Sequence, residues 1–395
     1  LFPYTTLFRS VVNVFAPGHP SAATNNIALP ADHKRTDCVA GNICTNAEEL
    51  NNILNWYHWY STRQLATSTA IGQSLAGQKF QGKLRIGYMP INDPTTFGSG
   101  VNTIALTPGT DVTTPTVLRG VRELQANTQA STELYGFLNG IASRGGTPLH
   151  NAVTKVGTYF TVPGTARENP GANNPAALAS NSNPELSCRR SFNLLFSDGG
   201  WTQSYAPAAG PDYDNMNGPL ISGTTPDGST NVSYQYLRFG NDTVTGRKEY
   251  VPYPSPDIGG LADLTAGYYW HGDLRASTTD PGQANNRLTG PGNPTFWQNM
   301  TTYTVGYFVR PTGETRADGV GLTFDRIEQY KAQYQNVGYA AATKPVWPTG
   351  NLVTTSTTQL RVDDFIHAGY TGGGRSFSAR SSEDVKAIFD KILSK

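Results

Sequence analysis

The sequence is poor in charge. Of 395 residues, 30 are Lys or Arg and 29 are Asp or Glu, a net of +1, and charged residues make up 15% against roughly a quarter in typical soluble proteins. A chain so near neutrality offers no field that would favour nucleic acid or an anionic membrane. Long apolar runs are also missing: no stretch approaches the ~18 continuous apolar residues of a membrane span. Cysteine is scarce, with three in all, and no C-x-x-C pair occurs, so a thiolate zinc site is not expected. Cys38 and Cys44 bracket "CVAGNIC". That loop either closes as a disulfide outside the cytosol, leaving Cys188 without a mate within the chain, or carries reduced thiols.

Several functional motifs are absent too. There is no G-x-x-x-x-G-K-[ST], no G-x-G-x-x-G after a strand and no H-E-x-x-H. "GGGRSF" (372–377) has its glycines before a strand, the wrong order for holding phosphate at a helix N-terminus. "GQSLAG" (72–77) approximates a nucleophile elbow, but Ser74 stands at the end of a helix instead of between strand and helix. The one close His/Asp pair in sequence, His271 and Asp273 in "WHGD", reads as a surface hydrogen bond.

What is present is uncharged and polar. Gly (42) and Tyr (20) are numerous, a style common in exported, loop-rich proteins. The first ten residues, "LFPYTTLFRS", have neither an initiator Met nor signal-peptide architecture and read as translated adapter sequence. Residues 11–47 are Pro- and Asn-rich and read as irregular. From Glu48 to Ala76 the apolar spacing predicts one long helix, with the aromatic cluster "NWYHWY" as core packing. Strands are predicted in "LRIGYMPIND" (84–93), "SFNLLFS" (191–197), "TTYTVGYFV" (301–309) and, at a sheet edge, "RSFSA" (375–379). A polar stretch runs to about 128. Helices are predicted over 132–141, 260–274 and 362–370, and 144–160 reads as a glycine turn and then a helix with Thr147 as cap and Pro148 as first residue. The last helix is the clearest: Val385, Ile388, Phe389, Ile392 and Leu393 form one stripe, and Ser381 with Asp384 opens it as a capping box.

Alternation of strands and helices predicts an α/β fold, a doubly wound, mainly parallel sheet with helices on both faces. Two loop insertions, 201–259 and 310–360, decorate it. Ligands of such sheets sit beyond the carboxyl ends of the strands. Asp198 stands at one such end, in "FSDGG", and Thr147 ends a loop at what should be the same edge. A hydroxyl and a carboxylate there can hold a hard divalent cation, although two oxygens fall short of the ~6 that magnesium takes. The plainer alternative is that Thr147 caps a helix and Asp198-Gly199 is a turn.

Seven stretches, in order over about residues 50–395, carry a family resemblance: "NILNWYHWYSTRQLATSTAIGQSL", "LRIGYMPIN", "LYGFLNGIASRGGTPLHNAVTKVGTYF", "SCRRSFNLLFSDGGW", "DLRA", "FWQNMTTYTVGYFV" and "VDDFIHAGYTGGGRSFSARSSEDVKAIFDKIL". Together they resemble the von Willebrand factor A-like N-terminal region of PilY-type proteins, the type IV pilus biogenesis factors and tip adhesins of Gram-negative bacteria. The resemblance implies a von Willebrand factor A-like domain over 48–395 with Rossmann-type layers. It also implies a metal-ion-dependent adhesion site in which Thr147 is the second-loop and Asp198 the third-loop ligand of a divalent cation, usually magnesium.

The first-loop motif of that site, Asp-x-Ser-x-Ser, does not occur before Glu48. The resemblance therefore implies that the first, central strand is missing, that the cation is weakly held or absent, and that a fragment lacking this strand is poorly stable. In the family a C-terminal β-propeller follows where this chain stops. The function implied is non-enzymatic: pilus assembly and adhesion, exported to the outer membrane and cell surface, with minor pilins and a host or abiotic surface as partners. The alternative is a metal-assisted hydrolase at the same sheet edge, with Ser197 and Thr202 as the nearby hydroxyls.

Overall fold

The computed structural model describes residues 14–29, 36–60, 62–77, 80–92, 119–141, 146–161, 190–202, 211–240, 250–275, 284–289, 293–353 and 358–393. The adapter-like start and Cys188 lie outside them. The chain divides into two compact units, Leu1–Ala70 and Ile71–Lys395.

In the first unit, strand β1 (Asn26–Ala28) pairs antiparallel with β2 (Ile43–Thr45). Cys38 and Cys44 are joined as a disulfide. Helix α1 (Asn46–Tyr60) follows at once, and α2 (Arg63–Ala76), whose residues from Ile71 on are counted with the second unit, comes after a break, so the single helix expected over 48–76 is two. Thr62 explains the break. Its hydroxyl accepts the Leu65 N–H at 3.1 Å, an N-cap of the kind that starts a new helix. The aromatic cluster is not core either: Tyr57 is 68% and Trp59 40% exposed. The buried side of α1 is polar instead, with Asn46 and Glu49 inside. Asn46 binds the N–H and C=O of Phe15, each at 2.8 Å, and takes a third bond from the Asn25 side chain. A helix whose inner face is pinned by hydrogen bonds leaves its apolar residues outward.

In the second unit, β3 (Arg85–Tyr88) pairs antiparallel with β4 (Arg119–Glu123), a strand that falls where the sequence reads only as polar. Helices α3 (Gln129–Gly140) and α4 (Leu149–Thr161) come next, then β5 (Ser191–Ser197). Beyond it the sheet is built by β9 (Met300–Tyr307) and β11 (Gly373–Ala379). These three strands are parallel in the order β11-β9-β5, and among the described residues none pairs with the outer edge of β5. The strand alternation places helices on both faces. Leu195 packs with Leu149 and Val153 of α4, with Leu261 of α5 (Leu261–Trp270) and with Phe365 of α8 (Thr358–Thr371). The next side chain, Phe196, points the other way and stacks on Phe389 at 5.3 Å. Phe389 belongs to the last helix, α9 (Ser382–Leu393), which starts with the expected capping box: the Asp384 N–H donates to Ser381 Oγ, and the Ser381 N–H to Asp384 Oδ2.

Among the described residues, both insertions hold packed structure. The first holds the hairpin β6 (Leu220–Thr224) and β7 (Asn231–Gln235) and the short β8 (Asp257–Ile258). Its Tyr236 stacks on Trp270 of α5 at 5.3 Å in an aromatic core of its own. The second holds the one-turn α6 (Thr312–Thr315), the helix α7 (Phe324–Val337) and β10 (Gly350–Asn351), which pairs in parallel with β8. Thr323 caps α7, and Ile327, Tyr330 and Tyr334 bury its inner face.

Candidate functional site

Asp198 leaves the carboxyl end of β5 and is exposed. Gly199 makes the turn at φ +84°, and a Cβ there would come within 2.9 Å of Val309 Cγ2; only glycine allows both the conformation and the approach. Its N–H donates to Ser197 Oγ at 3.2 Å. The turn presses its backbone against the end of β9 and leaves the carboxylate on the outside.

Thr147 is half-buried in the loop before α4. Its N–H donates to Thr202 Oγ1 at 2.7 Å, and its carbonyl accepts the Thr202 N–H at 3.2 Å. The loop carrying Thr147 is thus fastened to the loop four residues beyond Asp198, and both stand at the carboxyl edge of the parallel sheet. The cap expected of Thr147 falls one residue away. Helix α4 begins at Leu149, and its first i+4 bond runs from the Ala152 N–H to the Pro148 carbonyl, so Pro148 occupies the cap position. As a donor set the edge is thin: one hydroxyl and one exposed carboxylate leave most of a hard cation's ~6 positions to water, which fits a weakly held ion only.

Behind this edge is a buried network for which the sequence gives no warning. Trp201 donates its indole N–H to Asp364 Oδ2 at 2.8 Å. Asp364 also accepts the N–H groups of Leu261 and Ala262, at 2.9 and 3.1 Å, and so caps α5 from another helix. Burial raises its pKa, while the neighbouring His150 and these donors oppose the rise. The His150 ring packs edge-on against Trp201 at 4.6 Å and sets Nε2 3.1 Å from the Gly259 carbonyl. Arg361 lies over the Trp201 ring and donates to its carbonyl. Ser197 and Thr202, the hydroxyls a hydrolase would use, both accept backbone N–H groups.

His271 and Asp273 do not act as a pair. His271 lies against Tyr213 and Tyr236, its pKa lowered by burial to about 4. Asp273 accepts the Arg275 N–H. Carboxylates gather elsewhere instead. Ligand atoms of Asp214, Asp257 and His367 lie within 4.8 Å of one another, and so do those of Asp212, Asp214 and Asp263. The sequence signal for part of this was Asp-x-Asp at 212–214, two acids on one tight turn that the Asn215 N–H closes on the Asp212 carbonyl at 3.2 Å.

No family model matches the chain, and no solved structure does. Curated relatives do. The chain is 28% identical over 365 residues to the type IV pilus biogenesis factor PilY1 of Pseudomonas aeruginosa strain PAK, covering 89% of this chain and 26% of the relative. PilY1 of strain PAO1 is 28% identical over 363 residues, with the same coverage. That of strain UCBPP-PA14 is 25% identical over 397 residues, covering 97% of this chain and 28% of the relative. The chain therefore spans about a quarter of the length of these relatives. No helix among the described residues is long and apolar enough to cross a membrane. Over at least 89% of its length this chain is similar to the PilY-type type IV pilus biogenesis factors, the family its motifs resemble.

Proposed function

We propose that this chain is a non-enzymatic module of type IV pilus assembly and adhesion, exported and held at the outer membrane and cell surface with the pilus. The observation that carries this reading is the similarity to PilY1 along nearly the whole chain. The Cys38–Cys44 disulfide supports export, because such bonds persist in oxidising compartments. Minor pilins and a host or abiotic surface are the partners. The two insertions, 201–259 and 310–360, are the contact surfaces, since recognition sits on segments displayed by a rigid scaffold.

In this reading the fold is of the von Willebrand factor A type. Thr147 and Asp198 are the second- and third-loop ligands of a divalent cation, magnesium by preference, which water largely completes and which is therefore weakly held. The fastening of the Thr147 loop to Thr202 supports the placement.

Interferometry of the purified chain against the minor pilins of the same bacterium tests the assembly role. Saturable binding to at least one of them is expected. Absence of binding to each, with a folded chain, would overturn it.

A further inference from the structure

Four aspartates converge where the first insertion meets α5. Asp214 is 0%, Asp257 1% and Asp263 5% exposed, while Asp212 is half-buried and marks the way in. Some of their oxygens have ordinary partners. Asp212 Oδ2 accepts from Asn215, Asp214 Oδ1 from the Ser255 N–H, and Asp263 Oδ2 from the Gly260 N–H. Five do not: Asp212 Oδ1, Asp214 Oδ2, Asp263 Oδ1 and both oxygens of Asp257. Asp257 is the informative one. It is buried, and neither of its oxygens has a hydrogen-bond partner by geometry, the nearby Ser255 hydroxyl being directed to the Pro348 carbonyl.

Buried carboxylates without partners are rare because desolvation is costly. Here burial acts first and the neighbouring carboxylates second, pushing Asp257 up to about 8 and Asp263 to about 9, with Asp214 also well above its usual range. Two things relieve such a cluster, shared protons or a cation. The backbone favours close approach: a Cβ on Gly260 would lie 2.4 Å from Asp257 Oδ2 and 2.6 Å from Asp364 Oδ1, so glycine is what lets these carboxylates reach the start of α5.

We propose that Asp212, Asp214, Asp257 and Asp263 form a buried calcium site that fastens the 211–217 loop and β8 to the N-terminus of α5. The open donors are all oxygens: Asp212, Asp214 and Asp263 each bring one within 4.8 Å of the others, Asp257 joins through Asp214, and water and carboxylate adjustment complete the six to eight that calcium takes in irregular geometry. Magnesium, which holds several waters in a strict octahedron, suits a buried all-carboxylate site less well. Zinc prefers nitrogen and sulfur, and the histidine nitrogen that faces the site is engaged: His367 Nε2 lies 2.7 Å from the Tyr253 carbonyl, and its ring stacks on Trp347. His367 borders the site, its Nε2 3.5 Å from Asp214 Oδ2. The α5 N-terminus, with Asp263 in its first turn, adds a favourable dipole for the remaining negative charge.

The test uses the full chain, stripped with chelator and titrated with calcium chloride at pH 7.5, read by calorimetry and by thermal melting. One ion per chain is expected, with proton release, a raised melting temperature and at least tenfold weaker binding of magnesium. Asp257→Asn should lower calcium affinity at least tenfold. It should not lower the melting temperature of the stripped protein, because the amide removes an uncompensated carboxylate; this separates lost binding from lost folding. Asp214→Asn should behave alike. Absence of calcium heat and of any melting shift at millimolar calcium would overturn the site, as would full calcium affinity in the Asp214→Asn, Asp257→Asn double variant. Shared protons would then be what holds the cluster.

Discussion

The indole N–H of Trp201 donates to the buried carboxylate of Asp364 across 163 residues of sequence, at 2.8 Å. Through that bond the turn after Asp198 is tied to α8 and, by the amides that Asp364 also accepts, to the start of α5. Trp201→Phe deletes the donor and leaves a void where the larger indole was, and should cost about 2–4 kcal/mol. Asp364→Ala strands one indole and two amide donors and should cost about 3 kcal/mol or more. Urea unfolding of both variants measures this; equal, near-zero effects would remove the network from the account.

Asp198 should behave in the opposite way. It is exposed, so Asp198→Ala should change the unfolding free energy by no more than about 0.5 kcal/mol. If Asp198 is a cation ligand, the same variant loses whatever melting shift magnesium gives the parent chain. Thr202→Val removes the acceptor of the Thr147 N–H and should cost about 1 kcal/mol while weakening the magnesium effect through Thr147.

Gly373 opens β11 at φ +72°, and a Cβ there would fall 2.1 Å from the ring of Tyr269. That ring is 1% exposed and held by a bond to Asn293, so it has little room to swing. Gly373→Ala should therefore combine left-handed strain with overpacking and cost about 3 kcal/mol. A melting temperature within a degree of the parent would show that the ring gives way.

Asp363 sets a pH dependence. Burial raises its pKa to about 6, against the opposing bonds from Thr312. A carboxyl with a raised folded pKa contributes its stability fully below the unfolded value near 3.8 and loses it as pH rises through about 6. Two units correspond to about 3 kcal/mol. Asp363→Asn should flatten the stability profile between pH 4 and 6, while a parallel profile in the variant would assign that slope to other groups.

Local chemistry was readable where one segment decides its own structure. The stripe from Val385 to Ile392 and the Ser381–Asp384 box specify α9 without help, and the apolar run from Ser191 to Ser197 specifies β5. The sheet edge was readable too, because Asp198-Gly199 follows that strand directly. What escaped depends on distant partners. The outward face of α1 follows from bonds between Asn46 and Phe15, 31 residues apart. The polar segment at Arg119 becomes a strand by pairing with β3. The aspartate cluster draws on positions 212, 214, 257 and 263, which only the fold brings together. In α7, by contrast, the Thr323 cap, the spacing of Ile327, Tyr330 and Tyr334 and the closing Gly338 were all present in sequence, masked by the polar residues between them.

The central claim, a pilus module, is tested most directly in a bacterium that needs one. In Pseudomonas aeruginosa lacking its own PilY1, the matched segment of PilY1 is exchanged for this chain, and surface pili are sheared off and quantified, with the level of the chimera followed by immunoblot. The account predicts surface pili well above the deletion strain, and the same yield when Asp198→Ala is introduced, with attachment to a surface reduced in that variant. A chimera present at wild-type level that leaves the cells as bald as the deletion strain would contradict it.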